Sequence, residues 1–372
     1  MLSVVVPVYR NPVLLDYVLH EATARLPKGA ELLIVDDDAG RDARAVLRRF
    51  RRARVIRHEQ HRGITTALNT GAREAAGDVL VFMNSDVILG DGALQTLDTA
   101  IRRGNGEVGV IGALLLYPQN GRIQHAGVAV DKWAVTHLYV GAPSHTVRFD
   151  NLEERQAITG ALFACRRAVY EQLDGFDESF HDGLEDIDFC LRCRDQGLKN
   201  YMSTEVPSHH FESATRAPYK HIHRTYNYAL FFSRWRGRLT EDLTSYLALR
   251  LQGLSLSARG WSQATVINFC STLNWIDLAG TISASGLTAT STHDLSGFIA
   301  ENEPIDLYRA APRFLHEDRA PICFVVDHFL QLAANQRWFA SRTTDDLIID
   351  RHANAVLTTE LRGNGYRSIW GA

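Results

Sequence analysis

The sequence predicts an α/β fold built on a mostly parallel sheet, and three observations carry that prediction. Short apolar, β-branched runs recur through the first part of the chain, at residues 2–8, 31–35, 55–56 and 79–83. Stretches with helical apolar spacing lie between them, so strand and helix alternate, the order that a parallel sheet with right-handed crossovers requires. Three of these strands end in polar residues: Tyr9, the run Asp36-Asp37-Asp38, and Asn84-Ser85-Asp86. Such tips share one edge of a parallel sheet, where ligands of open α/β sheets bind.

The first run contains Pro7 and closes at Tyr9, as a buried strand entering a loop does. Residues 13–26 then place Leu15, Leu19, Ala22 and Leu26 on one helical stripe, widened by Leu14 and Val18. The second strand runs into three adjacent carboxylates, whose mutual repulsion has to be offset by turn hydrogen bonds, cations or a ligand. A basic helix, the strand at 55–56 and His61-Arg62-Gly63 lead to an alanine-rich helix through Asn69 and Gly71 to Ala76, ended by Gly77-Asp78. Residues 79–83 are apolar throughout and read as a strand buried on both faces. At its tip, Asp86 either holds a metal or polar ligand or caps the following turn.

A further strand is expected at 108–117. Polar loops follow, with Gln124-His125-Ala126-Gly127 and an aromatic patch at Trp133, His137 and Tyr139. The next strand, 159–165, is entered through Gly160. Ile187, Cys190, Leu191 and Arg194, with Gly197 beyond, predict a helix over 185–196. Acids in its first turn complement the helix dipole. That accounts for one or two carboxylates, not for the set Asp177, Glu178, Asp182, Glu185, Asp186 and Asp188. A short segment, 205–210, ends in the histidine pair His209-His210, a ligand candidate. Tyr226 to Trp235 reads as an aromatic helix, either packed in the core or closing over a site. Beyond 240 come a helix at 243–254, a Ser/Thr/Gly-rich loop at 283–296, a strand or helix start at 322–326 and an amphipathic stretch at 327–339. Together these predict a mainly helical C-terminal extension.

A chain of 372 residues supports two domains, expected at 1–240 and 241–372. A hydrophobic content of 45% and a net charge of −3 belong to an ordinary soluble protein and argue against a nucleic-acid partner. No apolar run approaches the roughly 18 residues that span a bilayer. The first apolar run has no charged lead, so a cytoplasmic protein is expected. Five scattered cysteines make no disulfide framework, and Cys190 and Cys193 read as packing on one side of a helix. Neither Gly-x-Gly-x-x-Gly nor Gly-x-x-x-x-Gly-Lys occurs, so a nucleotide diphosphate on this sheet would be neutralised by a metal rather than by a glycine cradle. That raises the weight of Asp86.

Ser3-Val4-Val5-Val6-Pro7-Val8-Tyr9, Val35-Asp36-Asp37, Gly63 with Asn69 and Gly71, Asn84-Ser85-Asp86, Thr159-Gly160-Ala161, Gly175-Phe176-Asp177, Glu185-Asp186-Ile187-Asp188 and His209 follow one another in a set order. In that order the chain resembles the family 2 glycosyltransferases of the GT-A, Rossmann-like fold, over roughly residues 2–240. The resemblance implies that Pro7, Tyr9 and Asp37 hold the donor's base, with Tyr9 stacking on it and Asp37 accepting an imide hydrogen bond from uracil or thymine. Gly63, Asn69, Asn84, Ser85, Gly160 and Glu185 complete the implied donor site. Asp86 matches the last acid of the family's Asp-x-Asp motif, which binds Mn²⁺ or Mg²⁺ under the donor diphosphate, and Asn84 stands in the place of its first acid. His209, or else His210, matches the second metal ligand, and Asp186 the general base.

The implied activity is an inverting, metal-dependent transfer from a UDP- or dTDP-sugar to a hydroxyl of a polysaccharide, glycolipid or natural-product acceptor. The C-terminal extension would bind the acceptor or form a homodimer. Asn84-Ser85-Asp86 together with Gln124-His125-Ala126-Gly127 resembles bacterial relatives that use deoxysugar donors such as dTDP-rhamnose. A sugar nucleotidyltransferase on the same fold would carry a Gly- and Arg/Lys-rich loop in place of Arg10-Asn11-Pro12. A catalytically silent nucleotide-sugar-binding protein would have no need of Asp86, Asp186 and His209 together.

Overall fold

The computed structural model describes residues 1–104, 106–131, 134–211, 220–259, 261–270, 275–298, 303–310, 321–340, 342 and 345–358. Trp133, Glu212 and Ser213 lie outside the described residues. The chain forms two compact units, one of residues 1–128 with 148–239, the other of 129–147 with 240–372.

The first unit opens with β1 (Leu2–Val8), α1 (Pro12–Arg25), β2 (Glu31–Asp37), α2 (Gly40–Leu47), β3 (Arg54–His58) and α3 (Ile64–Glu74). It continues through β4 (Val79–Met83), β5 (Val87–Ile88), α4 (Ala93–Arg103), β6 (Val108–Leu116) and β7 (Ile123–His125). A two-stranded sheet, β8 (Val128–Asp131) and β9 (Ala134–His137), intervenes. The chain then returns through β10 (Leu152–Arg155), β11 (Leu162–Arg166), α5 (Arg167–Gln172), α6 (Glu185–Asp195), β12 (Lys199–His210) and α7 (Lys220–Trp235).

The large sheet runs β10-β12-β6-β11-β4-β1-β2-β3, with β11 and β10 antiparallel in an otherwise parallel path. Strands β1 and β4 are buried at every residue, as their unbroken apolar runs require. From β1 the chain steps outward to β2 and β3, and then crosses back to place β4 on the other side of β1. The sheet's topological switch point therefore lies between the ends of β1 and β4, where such sheets open a crevice. The pairing of β1 with β4 ends at Val5, so Pro7 lies beyond the stretch that β4 pairs and is flanked there by β2 alone, at Val35. Helix α3 lies close against the sheet at Gly71, where a Cβ would come within 2.3 Å of Val5 Cγ1.

The second unit holds α8 (Leu243–Leu254), β13 (Gln263–Asn268), α9 (Trp275–Ala284), β14 (Thr288–Asp294), α10 (Leu307–Ala310), β15 (Ile322–Val326), α11 (Gln336–Ala340), β16 (Leu347–Asp350) and β17 (Ala355–Leu357). Its sheet has the order β14-β13-β15-β16-β17 and is parallel up to β16. The expected mainly helical extension is thus corrected to an α/β unit. Residues 322–326 form a buried strand too short to show any period. Residues 288–294, expected as loop, form a Thr-rich edge strand with no apolar face. The inserted segment 129–147 joins this unit through Tyr139 N–H to the His352 carbonyl (2.7 Å) and Val130 N–H to Asp242 (2.9 Å).

Candidate functional site

The three acids at the tip of β2 are held by different means. Asp36 is fully buried, accepts the Ala39 N–H at 2.9 Å and pairs with Arg44 and Arg57. Burial alone would raise its pKa, but the Ala39 N–H and the two guanidiniums outweigh that and leave it below the usual carboxylate value. Asp38 sits in the left-handed region (φ 58°) and also pairs with Arg44.

Asp37 gathers the loop after β3. Its Oδ1 accepts the Arg62 N–H at 2.9 Å and lies 2.7 Å from His58 Nδ1. Its Oδ2 accepts the Gly63 N–H at 2.9 Å and lies 2.8 Å from His61 Nδ1. Gly63 adopts φ 88°, which only glycine takes readily, so that its N–H reaches this carboxylate. Tyr9 stacks on His61, with ring centroids 3.9 Å apart, and the Arg10 guanidinium lies 4.6 Å from the same ring's centroid.

The expected base-reading pair is therefore closed in this structure. Both Asp37 oxygens are engaged, and His61 stands on Tyr9 where a base would stack. Of the two histidines on Asp37, His61 is the more open to solvent, with a side chain 38% exposed against 7% for His58.

At the tip of β4, Asn84 N–H bonds the Ala161 carbonyl (2.9 Å) and the buried Asp86 takes the Phe211 N–H on its carbonyl (3.0 Å). The Asp86 carboxylate meets His210, with Nε2 3.1 Å from Oδ1. Strand alternation turns His209 to the opposite face of β12, so the histidine beside Asp86 is His210, which corrects the first choice of the sequence reading. The other nitrogen of His210 lies 2.8 Å from Gln124 Oε1. Among the described residues no group of three or more His, Cys, Asp or Glu gathers as a metal cage. A carboxylate and an imidazole at ligand-to-ligand distance nevertheless suit a divalent cation whose remaining ligands are phosphate oxygens and water.

Asp186, half-buried in the first turn of α6, accepts the Gly160 N–H at 2.5 Å and the Ile187 N–H at 2.8 Å. A Cβ on Gly160 would lie 3.0 Å from Asp186 Cβ, a tight contact that glycine avoids. The bonds from Asn84 to Ala161 and from Gly160 to Asp186 set the tip of β4 and the N-terminus of α6 on neighbouring residues at the start of β11. His125 braces the same place, its Nε2 accepting the Thr159 N–H and the Gly127 N–H, each at 3.3 Å.

The other acids of the region are spoken for. Asp177 pairs with Arg234, and Asp188 with Arg192, Arg234 and the Trp235 indole N–H. Glu178 accepts from Thr66 and Asn69, and Asp182 caps α3 through the Ile64 N–H. Helix α7 is thus fastened at its end by Arg234 and Trp235. Earlier along it, Asn227 holds both His181 and Gly183 of the loop before α6.

Asn69 is corrected as a donor contact. Its amide binds the Phe176 N–H and carbonyl, Glu178 and the Tyr170 hydroxyl, and it is 7% exposed. Ser85 and Glu185 are buried beside Asp86 and Asp186 in sequence. Arg10-Asn11-Pro12 is a helix start, with Asn11 capping α1 through the Leu14 N–H. All five cysteines are buried and none forms a disulfide among the described residues.

A parallel sheet with its polar strand tips around one switch point and two antiparallel strands at fixed places is the GT-A fold. Residues 3–173 match the family model of glycosyl transferase family 2. The O-antigen biosynthesis protein RfbC of Myxococcus xanthus is 31% identical over 228 residues, 58% of this chain and 17% of that protein. An uncharacterized protein of Sinorhizobium fredii, y4gI, is 34% identical over 176 residues, 45% of this chain and 19% of that protein. The chain thus spans less than a fifth of the length of these curated relatives. Among solved structures, GalNAc-T7 with UDP, GalNAc and Mn²⁺ is similar with a TM-score of 0.53 at 16% identity, covering 78% of this chain and 55% of that one. Among the described residues no helix is long and apolar enough to cross a membrane.

Proposed function

We propose that this protein is an inverting, divalent-metal-dependent glycosyltransferase that moves a sugar from a UDP- or dTDP-sugar to an acceptor hydroxyl. The observation that carries this reading is the Asp86–His210 pair at the switch point, with Asp186 close by across the start of β11. Asp86 and His210 would hold Mn²⁺ or Mg²⁺, which when bound offsets the charge that builds on the leaving diphosphate. Asp186 has its carboxylate fixed by two backbone N–H groups and takes the proton of the acceptor hydroxyl as the new bond forms. With one base on the face of the sugar opposite the leaving group, displacement is in line and the anomeric centre inverts. Residues 241–372 are assigned to acceptor binding or dimerisation by their place after the transferase domain. The nucleotidyltransferase reading loses support because Arg10-Asn11-Pro12 serves as a helix cap.

The base of the donor enters by displacing His61 from Tyr9 and Asp37. His61→Ala is therefore expected to bind UDP or dTDP about fivefold tighter, the worth of one net hydrogen bond. Calorimetric titration with Mn²⁺ checks this, with inorganic pyrophosphate as the control that carries no base. Weaker nucleotide binding by the variant would mean that His61 helps to hold the base. The whole reading is tested by thermal stabilisation with UDP, dTDP and GDP, with and without Mn²⁺, since a ligand of the native state raises apparent stability by mass action. Stabilisation by UDP or dTDP that depends on Mn²⁺ is expected. No nucleotide effect with any metal would overturn it.

A further inference from the structure

We propose that Gln124 is a positioning residue that fixes the tautomer of His210 and so keeps the Asp86–His210 pair open for a cation. The inference rests on reading that pair as the metal site. Gln124 lies in β7, 5% exposed, and touches His210 twice. Its Nε2 donates to the His210 carbonyl at 3.1 Å, and its Oε1 lies 2.8 Å from His210 Nδ1. The first contact settles the orientation of the amide, because the reverse would set its oxygen against the carbonyl oxygen of His210. An amide oxygen only accepts, so Nδ1 carries the hydrogen.

In the neutral ring Nε2 is then bare, and it lies 3.1 Å from Asp86 Oδ1, which as a carboxylate oxygen also only accepts. Two lone pairs at that distance repel unless a positive charge lies between them. The other neutral tautomer, with the hydrogen on Nε2, would satisfy Asp86 directly and close the pair without any metal. Gln124 disfavours that tautomer. The signal in the sequence is the Gln124-His125 pair, whose neighbouring side chains serve two places: Gln124 the histidine beside Asp86, and His125 the loop at Gly160 that holds Asp186.

The test is a set of Mn²⁺ titrations of the full chain in the presence of UDP and of dTDP, with the free ion followed by electron paramagnetic resonance. Gln124→Leu is expected to weaken Mn²⁺ about 10- to 100-fold, as loss of a partner behind a ligating histidine does. Gln124→Glu, which keeps an acceptor for Nδ1–H, is expected to bind Mn²⁺ more tightly than Gln124→Leu. Nitrogen-15 spectra of metal-free, histidine-labelled protein should show one Nδ1–H ring that is missing in His210→Ala. That readout does not depend on any variant of Gln124 folding. Wild-type Mn²⁺ affinity in Gln124→Leu beside a loss in His210→Ala, or an Nε2–H ring at His210, would overturn the positioning role and leave the metal pair standing. Unchanged affinity in His210→Ala and Asp86→Ala would overturn the metal pair, and the positioning role with it.

Discussion

Asp186→Asn is expected to lower kcat about 10²- to 10⁴-fold, the usual worth of a general base, while Mn²⁺-dependent binding of the donor nucleotide stays within a factor of about two. The amide cannot take the acceptor's proton. It also turns an NH₂ toward one of the two backbone N–H groups, Gly160 or Ile187, that the carboxylate now accepts. A modest fall in Tm accompanies the loss of activity for that reason. Steady-state kinetics with the nucleotide sugar, set beside titration with UDP or dTDP, separates the two effects. Turnover near wild type would remove Asp186 from the chemistry. Loss of nucleotide binding in step with turnover would make it part of the donor site instead.

Asp86→Ala is the second large effect. Asp86 is 3% exposed and its side-chain partner is His210, so the substitution leaves a single ligand, the His210 imidazole, facing a cavity. Turnover is expected to fall about 10³-fold, equivalent to roughly 4 kcal/mol of lost leaving-group stabilisation. Nucleotide affinity in the presence of Mn²⁺ should fall to the value measured with a chelator. Affinity that still rises with added Mn²⁺ would place the metal elsewhere. His209→Ala offers the internal comparison. Its side chain lies on the other face of β12 and should leave the Mn²⁺ dependence intact, whereas His210→Ala should not.

Much of the fold could be read from local pattern. Unbroken apolar runs produced β1 and β4, and the glycine and acid signals around residue 185 located α6. The second unit carries little local signal, because its strands are short, buried and without period, as at 322–326, or polar and on an edge, as at 288–294. Among the candidate site residues, Asp86 and Asp186 stand where a strand tip and a helix start carry them together. Asn69 has a residue type and a place that fit a ligand contact, but its partners at Phe176, Glu178 and Tyr170 lie far along the chain. Acid-rich composition marked the segment 177–188, yet it could not separate a base from acids already neutralised by α7 and α3.

By itself the sequence determined the alternation of strand and helix, the polar tips at Tyr9, Asp37 and Asp86, and the acids that begin α6. Those features depend on residues close together in the chain. Only the tertiary structure decided that His210 rather than His209 faces Asp86, that His61 covers Tyr9, and that Gln124 fixes a tautomer. The first depends on which face of β12 turns inward, which its pairing with β5 and β6 sets. The others depend on contacts between side chains that meet only when the sheet assembles; Gln124 and His210 are 86 residues apart, and Asp86 and His210 are 124.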